Sequence, residues 1–481
     1  MLSQTKNTPT GIMDANTTRK KHIIFVGGFS LPFAYILSFL FEGRVLYSIL
    51  DHFEIYFPGY IFAAIVAHFL GLFACGWFLK SQIIIQRVRF ISIIICFLMT
   101  LPFLFLPSVF WRIGLIISGF SSGCLMTTLG YYLKKYIWKK HRLKIVADIL
   151  ICSNLLMIII YCVDLYVSTF VGLFLSLLCL LGGMIFLCLL IREPQFIVEE
   201  ASKTVNTYGV KQPLQILFVF VIIITINSGL MYQVINPQFN HLPDIVTLYW
   251  AIPYIIALAI MRYLPSDTKR SPFLYIALIM LMSAFVGFIL LEHNVTGYLI
   301  INTLMLGSFG VFDLFWWSVL GDMLEYTTNP SKVFGIGLSA NVLGVLVGGA
   351  LGYLANQHEF SKTEITVLAL VVLCITTLLL PVLNRQLVLL LKSHTYLEAY
   401  NQMAEFQQTK MIQETIGIEM LTNREKEVLE QILSGKTNHM IAQKLSITES
   451  TVKTHAGNIY SKYEVNTRAE LISTLWLGRQ S

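Results

Sequence analysis

The chain has 481 residues, of which 56% are apolar and only 13% charged, with a net charge of +7. An ordinary soluble domain carries roughly 25% charged residues. This composition excludes a soluble multidomain enzyme and a disordered chain, and it points to a polytopic membrane protein.

Residues 1–22 are polar, and the first apolar stretch ends in Phe41-Glu42-Gly43-Arg44 with no small-residue cleavage site after it. That pattern reads as a cytoplasmic tail followed by an uncleaved first span. A helix needs about 20 mostly apolar residues to cross the hydrocarbon core. Twelve stretches qualify: 23–41, 59–79, 90–110, 113–133, 145–163, 168–191, 213–235, 245–264, 272–291, 296–320, 333–355 and 364–383. The longest internal loop, 192–212, follows the sixth, so the layout is six plus six. Segments on the N-terminal side carry 22 Lys and Arg, whereas the opposite side carries only Arg44, Arg112 and Lys362. The positive-inside rule then puts both termini in the cytoplasm of a multi-pass protein of the cell membrane.

The eight cysteines lie inside or beside apolar runs and form no CxxC or Cys/His pattern. They read as small packing residues, and no metal or cofactor is implied.

The segment between spans two and three reads Lys80-Ser-Gln-Ile-Ile-Ile-Gln-Arg-Val-Arg89. Twelve spans in two sets of six, with a basic loop at this point, resemble the major facilitator superfamily over residues 20–385. The resemblance implies two six-helix halves around a central binding cavity. It also implies a Gly-x-x-x-Asp-Arg-x-Gly-Arg-Arg type loop, whose Gly and Asp are missing here while the basic residues remain. That erosion argues against transport and leaves a binding cavity standing.

An ionisable residue inside a span is a functional candidate. His68 lies near the middle of span two, Asn227 in span seven and Asn341 in span eleven. Asp313 lies mid-span in Phe312-Asp-Leu-Phe-Trp-Trp317, one turn before Trp316 and Trp317. A carboxylate beside aromatic rings suits a cationic or hydrogen-bonding ligand. For each of these polar residues two readings stand, a ligand contact or an interhelical hydrogen bond. Asp148 and Asp164 sit near span ends and read as interfacial. Gly344, Gly348 and Gly352 form a small-residue stripe for close helix approach, and in a facilitator-like fold such a stripe is also a candidate sliding surface.

Residues 386–417 contain no Pro and one Gly, at the very end. Leu390, Leu397, Ala404 and Met411 recur at sevens, with Tyr400 between. The expectation is a helix continuing from span twelve, either a rigid spacer or a two-chain coiled coil.

Residues 418–481 contain no run long enough to span. Thr422-Asn-Arg-Glu425 is a capping box, and Val428, Leu429, Ile432 and Leu433 give one apolar face. Gly435 suits a left-handed cap. A second helix carries Ile441, Ala442 and Leu445, and Thr448 is the expected N-cap of a third, starting at Glu449. A fourth runs from Thr467 to Leu477. A helix, a tight turn and a second helix with polar residues near its start is the helix-turn-helix plan. Glu-Lys-Glu-Val-Leu, Ile-Ala-x-x-Leu-x-Ile and Thr-Val-Lys-Thr-His then resemble the bacterial LuxR/NarL class of DNA-binding domain.

That resemblance implies that the third helix enters the major groove of double-stranded promoter DNA. Lys453 and Thr454 match the base-contacting positions, and Asn458 lies a turn further along. Ser450 and Thr451, with Thr437 and Asn438, fall at the phosphate-contacting helix starts. His455 packs at the edge or touches the backbone, and Lys462 and Arg468 match phosphate partners. Gly457 and Glu464 depart from the pattern; Glu464 replaces a Gly that accepts a special backbone angle. Residues 421–481 carry eight basic and six acidic residues, a modest excess for a DNA binder. Leu471, Ile472, Leu475 and Trp476 form the apolar stripe of the fourth helix; some of these must cover the domain's own core, and the rest are left to pair with a second copy, homodimer binding being expected to supply the missing affinity.

The expected fold class is all-α: a twelve-helix transmembrane bundle over 23–385, a helical linker over 386–417 and a small four-helix tail domain. The expected function is a membrane-embedded one-component transcription regulator that senses a small-molecule ligand. The alternatives are a secondary transporter with a gene-regulatory tail, and a tail that binds protein. No catalytic constellation is present in the sequence, so no enzyme is expected.

Overall fold

The computed structural model describes residues 15–41, 43–55, 58–193, 211–264, 271–403, 406–408, 410, 414 and 418–477. All regular elements among them are helical. Twelve are long and apolar enough to cross a membrane: Arg19–His52, Ile61–Phe78, Gln82–Leu104, Val109–Tyr136, Lys139–Tyr166, Thr169–Arg192, Gln212–Phe239, Pro243–Tyr263, Pro272–Leu290, Val295–Tyr326, Pro330–Gln357 and Lys362–Leu390. Most outrun the expected windows, because hydropathy marks only the lipid-facing part of a helix. Span five covers 28 residues, about 42 Å at 1.5 Å per residue. Most of the expected loop 192–212, and residues 404, 405 and 411–413 of the linker, lie outside the described residues.

Three local features differ from expectation. Span one is a helix to Tyr35, a π-turn over Ile36–Leu40, and then a separate amphipathic helix, Arg44–His52. That short helix buries Val45, Leu46, Ile49 and Leu50 against spans five and six. It is too short and too polar to register as a span. Residues 82–89 are the first turns of span three and not a loop; the Ile-rich run has no Gly or Pro to stop a helix. Arg89 there is fully buried, with its guanidinium 4.3 Å from the centre of the Tyr132 ring. Span eight is two helices, Pro243–Tyr249 and Ile252–Tyr263, joined at Trp250-Ala251 just ahead of Pro253.

The spans pack as two sets of six. Within the first, spans two, three and four and spans one and six pair closely; within the second, spans seven and eleven and spans eight, nine and ten do so. Across the division, span eleven crosses span two, and span five meets spans eight and ten. The crossing of spans two and eleven is backbone to backbone. A Cβ added at Gly335 would lie 2.6 Å from the Cα of Gly76 and 2.7 Å from the carbonyl oxygen of Leu72. Gly344, Gly348 and Gly352 instead face span seven, within one half. They are a packing stripe there and not a surface between the halves.

The crossing lies toward the end of the bundle nearest the tail domain, here called proximal. Further ties join the halves at that end. Arg142 of span five bonds Glu325 at 2.6 Å and donates to the carbonyl of Gly321 at 2.9 Å. Lys134 donates to the carbonyl of Thr327 at 2.6 Å. Asp148 accepts from Arg262 of span eight and pairs with His22. At the opposite, distal end, Arg44 pairs with Asp164 and donates to Thr247. Asp148 and Asp164 are thus both ion-paired near span ends.

The last span does not stop at the bundle. One helix runs from Lys362 to Gln402. Its residues Leu380, Leu383, Leu387 and Leu390 belong to the core of the bundle, and its Tyr396 belongs to the core of the tail domain. The tail domain is four helices, α1 (Asn423–Leu433), α2 (Asn438–Leu445), α3 (Glu449–Lys462) and α4 (Arg468–Leu477).

Gly335→Val should destabilise the protein by roughly 1–3 kcal/mol, the cost of overpacking a tight site. Gly59→Val, where an added Cβ meets nothing within 4 Å, should leave stability unchanged. Thermal unfolding of the two purified variants checks the contrast.

Candidate DNA-binding surface and membrane cavity

The tail domain is built by its helix caps. Thr422 accepts from the amide of Glu425, and the Glu425 carboxylate accepts from the amide of Thr422 at 2.8 Å, so the capping box is complete. Gly435 closes α1 with φ 80°, where a side chain would be strained. Thr437 caps α2 and Thr448 caps α3, each accepting an amide bond three residues on. Between α2 and α3, Ser446 takes a left-handed conformation, which makes the tight turn. Ile441, Ala442, Val452, Ala456 and Ile459 then lock the two helices together.

This packing fixes which face of α3 is free. Ser450, Lys453, Thr454 and Asn458 are exposed on it, and Thr451 and His455 are half-buried beside them. Gly457 faces open space. Thr451 is bonded to the cap hydroxyl of Thr448 at 2.8 Å. An exposed hydrogen bond, His439 with Glu449 at 2.7 Å, bridges the starts of α2 and α3; the two residues are brought together only by the turn.

The structure adds to three expectations for the tail. The Lys462 ammonium donates to the Glu425 carboxylate at 2.6 Å, tying α3 to the capping box of α1, and the side chain stays partly exposed. Arg468 is buried and donates to the carbonyl of Ile432. Leu471, Ile472 and Leu475 are all buried in the domain's own core, so these three leave no spare apolar stripe. The side chain of Trp476 lies outside the described residues. The fourth helix also faces the long membrane helix, where Arg385 donates to Glu470 at 3.0 Å. Glu464 has φ 54°, the left-handed angle expected of a Gly replaced by a side chain.

The second candidate site is a cavity of about 730 Å³ between the halves. Its walls run from mid-span to the distal ends of spans one, two, seven, eight and eleven, so the ties at the proximal end lie outside it. His68, Asp313, Trp317 and Asn341 line it, as the sequence reading proposed for ligand contacts. Trp316 and Asn227 do not. Trp316 is fully buried behind the wall and donates to Asp313 at 3.0 Å. Asn227 is one residue out of phase with Ser228, which faces the cavity. Asn154, Tyr232, Gln233, Trp250 and Tyr254 also contribute. None of these five residues was singled out from the sequence; the break between helices at Trp250-Ala251 lies beside two of them.

An α-helical bundle of twelve spans in two halves, carrying a capped helix-turn-helix on its last helix, is a membrane protein joined to a DNA-binding module. Comparison with known proteins resolves both parts. The family described as "Bacterial regulatory proteins, luxR family" matches residues 419–475. The tail domain is a LuxR-type helix-turn-helix domain. The chain is 45% identical over 58 residues to the monoamine regulon transcriptional regulator of Klebsiella aerogenes, covering 12% of this chain and 26% of that protein. It is 37% identical over 92 residues to the response regulatory protein YgeK of Escherichia coli K12, covering 19% of this chain and 60% of that one. The chain therefore spans less than two thirds of the length of either relative.

The membrane part is similar to solved major facilitator structures. The human organic anion transporter MFSD10 superposes with a TM-score of 0.58 at 13% identity, over 76% of this chain and all of that one. The proton:xylose symporter XylE superposes with a TM-score of 0.52 at 13% identity, over 76% of this chain and 94% of that one. The membrane domain has the major facilitator fold.

Two measurements test the tail. Lys453→Ala should weaken specific DNA binding by roughly 1–3 kcal/mol, the discrimination carried by a base contact; an unchanged affinity would remove Lys453 from the readout. Glu425 is held at about 2, below the ordinary 4.5, by the Lys462 ammonium first and the amide of Thr422 next. A depressed carboxylate stabilises the fold above its unfolded value and loses that contribution as pH falls through the folded one. The tail domain should therefore lose stability between about pH 4.5 and 2, and Glu425→Gln should flatten that fall. Amide exchange in α1 and α3 of the full chain reads it.

Proposed function

We propose that the protein is a membrane-embedded one-component transcription regulator. The major facilitator domain binds a small ligand in the distal cavity. The change of state passes along the helix Lys362–Gln402 to the LuxR-type domain, which binds promoter DNA while the protein stays in the membrane. The observation that carries this reading is that helix. It is part of the bundle core at Leu390 and part of the tail core at Tyr396, six residues or about 9 Å further on. A shift of span twelve has no slack in which to dissipate before it reaches the DNA-binding domain. Coupling requires that the ligand favour one state of the bundle over the other.

In this reading the proximal end faces the cytoplasm, as the Lys and Arg bias supports, and the cavity samples the far side. DNA binding is by a homodimer, which offsets the weak positive charge of a single tail. Because α4 lies against the membrane helix at Glu470, pairing of two copies requires the tail to change its seat. No catalytic step is involved.

A second reading, a transporter with a regulatory tail, is favoured by the cavity itself. The missing Gly and Asp in the segment 80–89 and its largely helical form weigh against it.

Occupancy of DNA in cells separates the readings. Tagged wild type should enrich a few promoters, and Lys453→Ala should lose them. A flexible Gly-Ser insertion after Lys392 should keep the sites but abolish any response to growth conditions. If wild type enriches no promoter across several conditions, the regulator reading fails.

A further inference from the structure

The cavity's charge and lining name a ligand class, given the reading of it as the sensing site. Asp313 lines the cavity, and among the described residues no Lys or Arg lines it. Its hydrogen-bond donors are both neutral: the Tyr254 hydroxyl at 2.8 Å and the Trp316 indole at 3.0 Å. By contrast, Asp148 has Arg262, Asp164 has Arg44 and Glu325 has Arg142. A carboxylate withdrawn from water with no opposite charge is costly, and a cation from outside the chain removes that cost.

The surroundings add shape. Phe309, Asp313 and Trp317 stand four residues apart on span ten and all reach the cavity, so an aromatic ring lies a turn to either side of the carboxylate. Tyr232 and Trp250, also in the lining, stand edge to face with ring centres 6.5 Å apart. Aromatic faces attract cations, the more so where water is excluded. The volume of about 730 Å³ suits a molecule of drug-like size.

We propose that the cavity takes an aromatic or otherwise bulky apolar organic cation. Its positive centre sits at Asp313, between Phe309 and Trp317, and its apolar body rests against Trp250 and Tyr232.

The test uses full-length protein purified in detergent and two pairs of probes. Tetraphenylphosphonium and tetraphenylborate share a shape and differ in sign; 2-phenylethylammonium and phenylacetate do the same at smaller size. Thermal unfolding and tryptophan fluorescence report binding. At least one cation should bind saturably and raise the melting temperature, with its anion counterpart at least tenfold weaker. Asp313→Asn should weaken that cation at least tenfold, and Asp313→Glu should retain it. Equal binding of anion and cation, binding of neither cation, or an Asn variant that binds as wild type would each overturn the proposal. If the Asn variant does not fold, the wild-type cation and anion contrast decides alone. Promoter affinity measured with and without the bound cation is a separate readout. Asp313-dependent binding with no change in promoter affinity keeps the ligand class and sinks the sensing reading; a promoter response to an anion alone does the reverse.

Discussion

One helix takes part in two hydrophobic cores, and the rest of the molecule is arranged around that constraint. Between Lys362 and Gln402 the helix is unbroken, even past Pro381, which lacks an amide to donate. Leu380, Leu383, Leu387 and Leu390 hold the helix in the bundle, and Tyr396 holds its end in the tail domain. The Arg385–Glu470 pair adds a polar contact at the seam. It is largely exposed on the Arg side, so it orients the two parts more than it stabilises them. A helix resists bending and twisting far more than a linker of Gly and Ser. The position of the DNA-binding domain is therefore a function of the position of span twelve.

The bundle is built to have its own asymmetry along the membrane normal. At the proximal end the halves touch backbone to backbone at Gly76 and Gly335, and Arg142, Lys134 and Asp148 add polar ties. At the distal end the cavity separates them, with Arg44 reaching Asp164 and Thr247 as the tie there. Among the described residues the ionic ties are few and specific, whereas the apolar packing within each half is extensive.

Much of this was legible in the residues. Twelve spans follow from hydropathy because lipid offers the backbone no hydrogen bonds, so each crossing must be a helix of a minimum length. The helix-turn-helix was legible to the level of single caps: Thr422, Gly435 and Thr448 each do what their side chains allow. Caps are local, and a local motif carries its geometry with it. Asp313, His68, Trp317 and Asn341 were picked out because polar groups in lipid are rare, and all four line the cavity. Trp316 and Asn227 were picked by the same rule and do not, because one step along a helix turns a side chain by about 100°.

What the sequence determined by itself was therefore the list of helices, the tail fold and the exposed face of α3, since each depends on neighbours within a few turns. What only the tertiary structure decided was the use of charges and glycines between distant segments. Lys462 bonds to Glu425, and Gly335 meets Gly76 while the Gly344 stripe meets span seven. Leu471, Ile472 and Leu475 fill their own core. Such pairings depend on which surfaces the chain brings into contact, and no local period in the sequence encodes that choice.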